Sequence, residues 1–259
     1  MSDQIPSSKL DAIFKPSSVA VVGASTRAGT VGNDIFRNLL FNEFHGSVYP
    51  INPKASNVLG VHCYPDLLSV PGPVDLAVLI VPAAAILDVV DQAREKKVQA
   101  MVVISAGFKE VGAKGAELEK QLQQKVRAAG IPLIGPNCLG VINTDPAVCM
   151  NAAFGRKMPG PGNLAFLSQS GALCTSVLDY AEERHMGFSK FISFGNKADV
   201  EQARARVALA KSTLTARKGG LHEAEARYER VIGEPPGELA KPNAAPSGLV
   251  KEGEVDPAD

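Results

Sequence analysis

The stretch "VAVVGASTRAGTVG" at 19–32 carries the strongest chemical signal in the chain. Apolar residues Val19 to Val22 run into a loop holding Gly23, Gly29 and Gly32, and an amphipathic segment follows. Glycines allow positive φ and close backbone approach, and the start of a helix offers free N–H groups and a positive dipole end. Together they can cradle a phosphate. The plainer alternative is a tight turn with no ligand. A second device of this kind stands in "LAFLSQSGAL" at 164–173. There Ser168, Gln169, Ser170 and Gly171 separate an apolar run from a helical pattern. Two hydroxyls and a glycine suit either an anion site or an ordinary Ser N-cap, and the local pattern leaves both open. A hydrolase elbow is excluded, because Gly-x-Ser-x-Gly is absent around Ser168 and Ser170.

The end of the second apolar run discriminates between ligands. A fold that binds NAD usually places Asp or Glu there, bonded to the ribose 2′-hydroxyl. Here the residues are Asn52, Pro53 and Lys54. The missing acid argues against NAD, and the cation leaves NADP or a 3′-phosphorylated adenosine such as coenzyme A. Further strand ends are marked by small residues, Gly or Pro. They are "VPAAA" with Val81 and Pro82, "SAGF" with Ser105, Ala106 and Gly107, and "IGPNCLG" with Pro136 and Asn137. Ligands bind at the carboxyl edge of open α/β sheets, so several such ends in series suggest a groove for a long ligand.

Alternating elements must position these residues. Strands are expected over 18–23, 46–52, 75–82, 99–107 and 131–137, with helices over 31–43, 83–97 and 115–130 between them. Regular alternation implies parallel βαβ units and a doubly wound sheet. Pro82 suits the first turn of the helix after it, and Gly130 suits a C-terminal cap. After a Pro/Gly-rich link at 155–162 the pattern restarts with strands at 163–168 and 189–196 around a helix at 172–185. Two strands cannot complete a second doubly wound sheet, and an open edge would be an association liability. Near residue 200 the composition changes. All ten phenylalanines lie at or before Phe194, and five of the eleven arginines fall in the last 59 residues. Residues 201–232 read as two helices joined at Gly219 and Gly220, and 233–259 as disordered.

Bulk properties exclude several classes. The formal net charge is zero, which removes a field-based case for nucleic acid or an anionic membrane. The longest apolar stretch, 76–87, is far shorter than the ~20 residues of a spanning helix. The first ten residues lack the apolar core of a signal peptide, so a cytoplasmic protein is expected. Cys63, Cys138, Cys149 and Cys174 have no zinc-knuckle spacing, so free thiols and no metal site are expected.

In this order, "PSSVAVVGAST", "VYPINPK", "LAVLIVPA", "VVISAGFKE", "IGPNCLGVIN", "LAFLSQSGAL" and "FISFGNKADV" resemble the NDP-forming acyl-CoA synthetases, the superfamily of succinyl-CoA synthetase and ADP-forming acetate–CoA ligase. The resemblance spans about residues 8–200. It implies a Rossmann-like CoA-binding domain over 8–145 and the start of a flavodoxin-like ligase domain over 146–200, with a divergent tail over 201–259. It further implies that Ser25, Arg27, Gly29, Lys54, Pro82, Ser105 to Gly107 and Asn137 line a CoA groove. Ser168 to Gly171 would receive the phosphate of a phosphohistidine. The family joins an acid to CoA through an acyl phosphate, and ATP/ADP with Mg is handled by a separate ATP-grasp domain or beta-type subunit. The family's histidine context is matched by none of His45, His62, His185 and His222, so no catalytic residue is identified. The change at about Asp199 reads as truncation, frameshift or fusion, or as a helical hairpin that closes the fragment. Two other readings stand beside this one. An NADP-dependent oxidoreductase would use the same loop, but no Tyr–Lys pair four apart supports it. A non-catalytic CoA-sensing or interaction protein would use the fold as a switch.

Overall fold

Short apolar runs bounded by Gly, Pro and Asp form strands covered on both faces. The computed structural model describes residues 11–155, 158–196, 198 and 229–230. A short helix α1 (Asp11–Phe14) leads into β1 (Ser18–Val22), α2 (Val31–Phe41) and β2 (Ser47–Ile51). A small hairpin, β3 (Asn57–Val58) and β4 (Val61–His62), precedes β5 (Leu76–Leu79). Then come α3 (Ile86–Glu95), β6 (Ala100–Val103), α4 (Ala113–Ala129) and β7 (Leu133–Ile134). The sheet order is β2-β1-β5-β6-β7, and every pairing is parallel.

Alternation along the strands divides the core into two layers. Val19, Val21, Leu76 and Val78 face α2, while Ala20, Val22, Ala77 and Leu79 face α3 and α4. This is the doubly wound arrangement expected from the sequence. Ile35, Phe36 and Leu39 of α2 are fully buried, each contributing about 2 kcal/mol. Gly130 closes α4 in the left-handed region at φ 65°, as its cap position requires.

The second sheet corrects the two-strand expectation. β8 (Gly140–Asn143) and β9 (Met150–Ala153) join β10 (Pro161–Ser168) and β11 (Phe188–Ser193), with α5 (Gly171–Glu183) linking the last two. The order is β10-β11-β8-β9; β10 and β11 are parallel and the other pairs antiparallel. The extra hairpin escapes sequence reading because Asn143 and Asn151 interrupt its apolar runs. Both are fully buried. Asn143 Nδ2 donates to the Phe14 carbonyl at 2.6 Å. The β9 side is covered by α2, whose Asn38 Nδ2 donates to the carbonyls of Ala153 and Gly155 at 2.8 Å each.

The helices expected over 201–232 and the disorder expected over 233–259 lie outside the described residues, save for helical Glu229 and Arg230. Among the described residues no helix is long and apolar enough to cross a membrane.

The junction of β1 and α2 gives a stability test. A Cβ at position 32 would stand 2.1 Å from the Gly23 carbonyl oxygen, whereas at position 29 it would meet nothing within 4 Å but would sit at φ +75°. G32A is expected to cost roughly 3 kcal/mol and G29A about 1 kcal/mol, read by urea denaturation. Equal losses would show that the backbone here yields.

Candidate functional site

The chain leaves β1 toward β2 on one side and reaches β5 on the other, so the loops after β1 and β5 diverge. Open α/β sheets bind ligands in the crevice at such a switch point. The loop after β1 is fixed by backbone contact. Gly23 has φ +95°, and a Cβ there would stand 2.5 Å from the Ile80 carbonyl oxygen at the end of β5. Within the loop, Ser25 Oγ accepts from the Arg27 N–H at 3.1 Å and Thr30 Oγ1 donates to the Arg27 carbonyl at 2.7 Å. Asn33 Nδ2 donates to the Ser25 carbonyl at 2.8 Å. Thr30 is the N-cap of α2, with extended backbone and no side-chain bond closing the helix start. Val31, the first residue of the helix, lines the crevice, so the helix start presents its dipole there, which Asp34 in its first turn partly offsets. The Arg27 side chain is exposed beside it.

Asn52 acts as a strut. Its Nδ2 donates to the Ala24 carbonyl at 2.8 Å and its Oδ1 accepts from the Lys54 N–H at 2.9 Å. The end of β2 is thus tied to the loop after β1, and Lys54 is presented as an exposed cation. Ser105 plays the same part between β6 and β5, with Oγ donating to the Val81 carbonyl at 2.5 Å. Pro82 is exposed and begins a short 3-10 turn over Ala83–Ala85. Asn137, at φ 55°, donates its N–H to the Ser105 carbonyl at 3.0 Å. Pro136 follows a cis bond from Gly135 and is buried.

A cavity of about 400 Å³ opens at these strand ends. Val31, Ile80, Ser105, Ala106 and Asn137 line it from the first sheet, and Cys138, Gln169 and Gly171 close it. It therefore joins part of both sequence-predicted clusters. Asn52, Lys54, Arg27 and Pro136 stand outside its wall. Ser170 is the N-cap of α5, its Oγ accepting from the Leu173 N–H at 3.2 Å, and Ser168 Oγ accepts from the Ser170 N–H at 3.1 Å. Both hydroxyls thus serve the backbone, and Gly171 faces the cavity. A larger apolar cavity of about 630 Å³, lined by Phe154, Met158, Leu178 and Met186, lies against α5 and holds none of the predicted site residues.

Three polar residues at this rim have no part in the sequence reading. Glu110 Oε1 accepts from the N–H groups of Gly107 at 2.6 Å and Phe108 at 3.0 Å. Asn196 Nδ2 donates to Glu110 Oε2 at 2.6 Å and to Glu119 Oε2 at 2.9 Å. Burial pushes the Glu110 carboxyl up, but the bonds from Asn196, Phe108 and Gly107 outweigh it and hold it below its ordinary value. The only available signal is that Glu110 and Asn196 fall in "SAGFKE" and "FGN", two of the marked segments.

Histidines are placed elsewhere. His45 Nδ1 lies 3.2 Å from the Ala147 carbonyl, His62 meets the Tyr64 ring edge-on, and His185 follows α5. His222 is outside the described residues. Among the described residues no group of three or more His, Cys, Asp and Glu is placed to hold a metal.

Comparison with known proteins identifies the two domain families. Residues 17–144 match the family described as CoA binding domain, and 161–217 match the succinyl-CoA ligase like flavodoxin domain. The chain is 46% identical over 206 residues to acetate–CoA ligase [ADP-forming] I of Archaeoglobus fulgidus, covering 80% of this chain and 30% of that protein. It is 39% identical over 198 residues to the alpha subunit of acetate–CoA ligase [ADP-forming] I of Pyrococcus furiosus, covering 75% and 42%. A dinucleotide forming acetyl-coenzyme A synthetase 1 of Ca. Korarchaeum cryptofilum, solved with phosphate and ADP, superposes with a TM-score of 0.69 at 44% identity. That match covers 74% of this chain and 40% of the other. The chain thus spans less than half the length of each of these relatives.

The thiol at the cavity gives a chemical test. Burial pushes Cys138 up to about 12, so at pH 8 it stays a poorly nucleophilic thiol. Iodoacetamide labelling of the folded protein, read by mass spectrometry, should modify the part-exposed Cys149 and spare Cys138. Equal labelling would show that burial does not protect Cys138.

Proposed function

We propose, for a chain that belongs to the NDP-forming acyl-CoA synthetase superfamily through its CoA binding domain and the start of its flavodoxin-like domain, that it binds coenzyme A along the carboxyl edge of the parallel sheet. One observation carries the reading. The crevice at the switch point ends in an uncapped helix start, and no acid stands at the end of β2, where Asn52 is a strut and Lys54 an exposed cation. The pyrophosphate would lie on the N-terminus of α2 beside Ser25, Arg27 and Gly29, with Lys54 toward the 3′-phosphate. The pantetheine arm would pass Val81, Pro82, Ser105 to Gly107 and Asn137 into the cavity below Gly171. The N-terminus of α5, at Ser168 to Gly171, would meet a phosphoryl group.

CoA supplies a thiol that accepts an acyl group; the described residues bind and orient it. The activity we propose for the whole assembly is the joining of a carboxylic acid to CoA with ATP. Residues 8–145 would form the CoA domain and 146–200 the start of the ligase domain. The nucleotide and Mg would be held by an ATP-grasp domain or a beta-type partner, as the alpha-subunit relative suggests. A cytoplasmic site of action fits a chain using those substrates.

Isothermal titration tests the reading. CoA is expected to bind and NADPH not to. K54E should weaken CoA about tenfold, which is ~1.4 kcal/mol, and leave dephospho-CoA nearly unchanged. No heat and no thermal shift with millimolar CoA would overturn the proposal, and binding of NADPH alone would favour the oxidoreductase reading.

A further inference from the structure

The loop after β11 is seated on the first sheet by more bonds than a passing contact would form. The Asn196 N–H donates to the Pro136 carbonyl at 2.8 Å, and the Ala198 N–H donates to the Gly135 carbonyl at 3.1 Å. A Cβ at position 195 would stand 2.2 Å from the Pro136 oxygen, so the two backbones touch. Lys109 Nζ donates to the Asn196 carbonyl, and Gln123 Nε2 to that of Ala198. Lys109 also pairs with Glu119 at 3.3 Å, and Glu119 is only 8% exposed. At the centre is Glu110. One of its oxygens holds the rim turn at Gly107 and Phe108, and the other holds the Asn196 side chain.

We infer that Glu110 is a positioning residue that couples the ligand rim to the loop after β11, by fastening the Gly107–Phe108 turn and the Asn196 side chain with a single carboxylate. The turn carries Ser105 and Ala106 in the cavity wall. An occupant that presses on the turn therefore changes the direction of the Gly107 and Phe108 N–H groups and, through the carboxylate, the seat of Asn196. Both oxygens are acceptors, which a neutral amide cannot reproduce: in E110Q one end becomes a donor and faces another donor. Glu119 and Lys109, the other charged groups at the cluster, remain paired in that variant. The CoA arm of this inference rests on the ligand reading above.

The experiment uses the full chain and measures hydrogen exchange of the Asn196 and Ala198 amides, with and without CoA, beside CoA titration and thermal melts. In the wild type, CoA should raise protection of both amides. In E110Q the melt should stay cooperative, resting protection of these amides should fall, and CoA should no longer change it. E110Q should also bind CoA about tenfold more weakly. E110D should restore part of the response, because the carboxylate is kept. The inference is overturned if E110Q keeps wild-type protection and the wild-type response to CoA. If E110Q does not fold, N196A removes the same link from the other side and is judged by the same criteria. Failure of the wild type to bind CoA would sink the ligand reading alone. Resting protection in E110Q would then still decide the link.

Discussion

At the carboxyl edge of the parallel sheet, backbone meets backbone with no Cβ between. A Cβ would stand 2.1 Å from the Gly23 oxygen at position 32, 2.5 Å from the Ile80 oxygen at 23, and 2.3 Å from the Val103 oxygen at 135. Such distances are impossible for a side chain. The start of α2 therefore lies against the loop after β1, that loop against the end of β5, and the turn after β7 against the end of β6, each closer than any other residue type permits. The crevice, the helix terminus facing it and the seat for the second sheet's loop all follow from that approach.

Polar side chains complete what the glycines begin. Asn52, Ser105 and Glu110 each join two segments; Asn52 and Ser105 bond backbone atoms, and Glu110 bonds the backbone with one oxygen and the Asn196 side chain with the other. The groups left facing outward are the helix start and the exposed cations Arg27 and Lys54. The rim thus separates residues that hold its shape from residues whose charge is left to solvent. Asn52 shows the difference well. In the sequence its meaning is negative, an acid that is missing; in the fold it fixes the loop after β1 to the end of β2.

What the sequence reveals depends on whether the partner is local. β1, β5 and β6 are continuous apolar runs, and their burial is written in their own residues. Gly130 likewise ends α4 by its own conformation. β8 and β9 are illegible because Asn143 and Asn151 look like turn residues until α1 supplies a buried partner for Asn143. Glu110 and Asn196 lie far apart in the chain, so each alone resembles a solvated surface group. Ser168 and Ser170 are an intermediate case, since an N-cap and an anion site share one local pattern and differ only in what faces Gly171 across the cavity.

Helix α2 works at both ends. Near its start Gly32 lies against the loop after β1, and later Asn38 holds the carbonyls of Ala153 and Gly155 beside β9. One extra residue between them would rotate the second contact about 100° around the axis relative to the first. Either the loop after β1 or the second sheet would then lose its grip. The span from Gly32 to Asn38 is consequently a fixed gauge in which length changes cannot accumulate, whatever substitutions its outer face accepts.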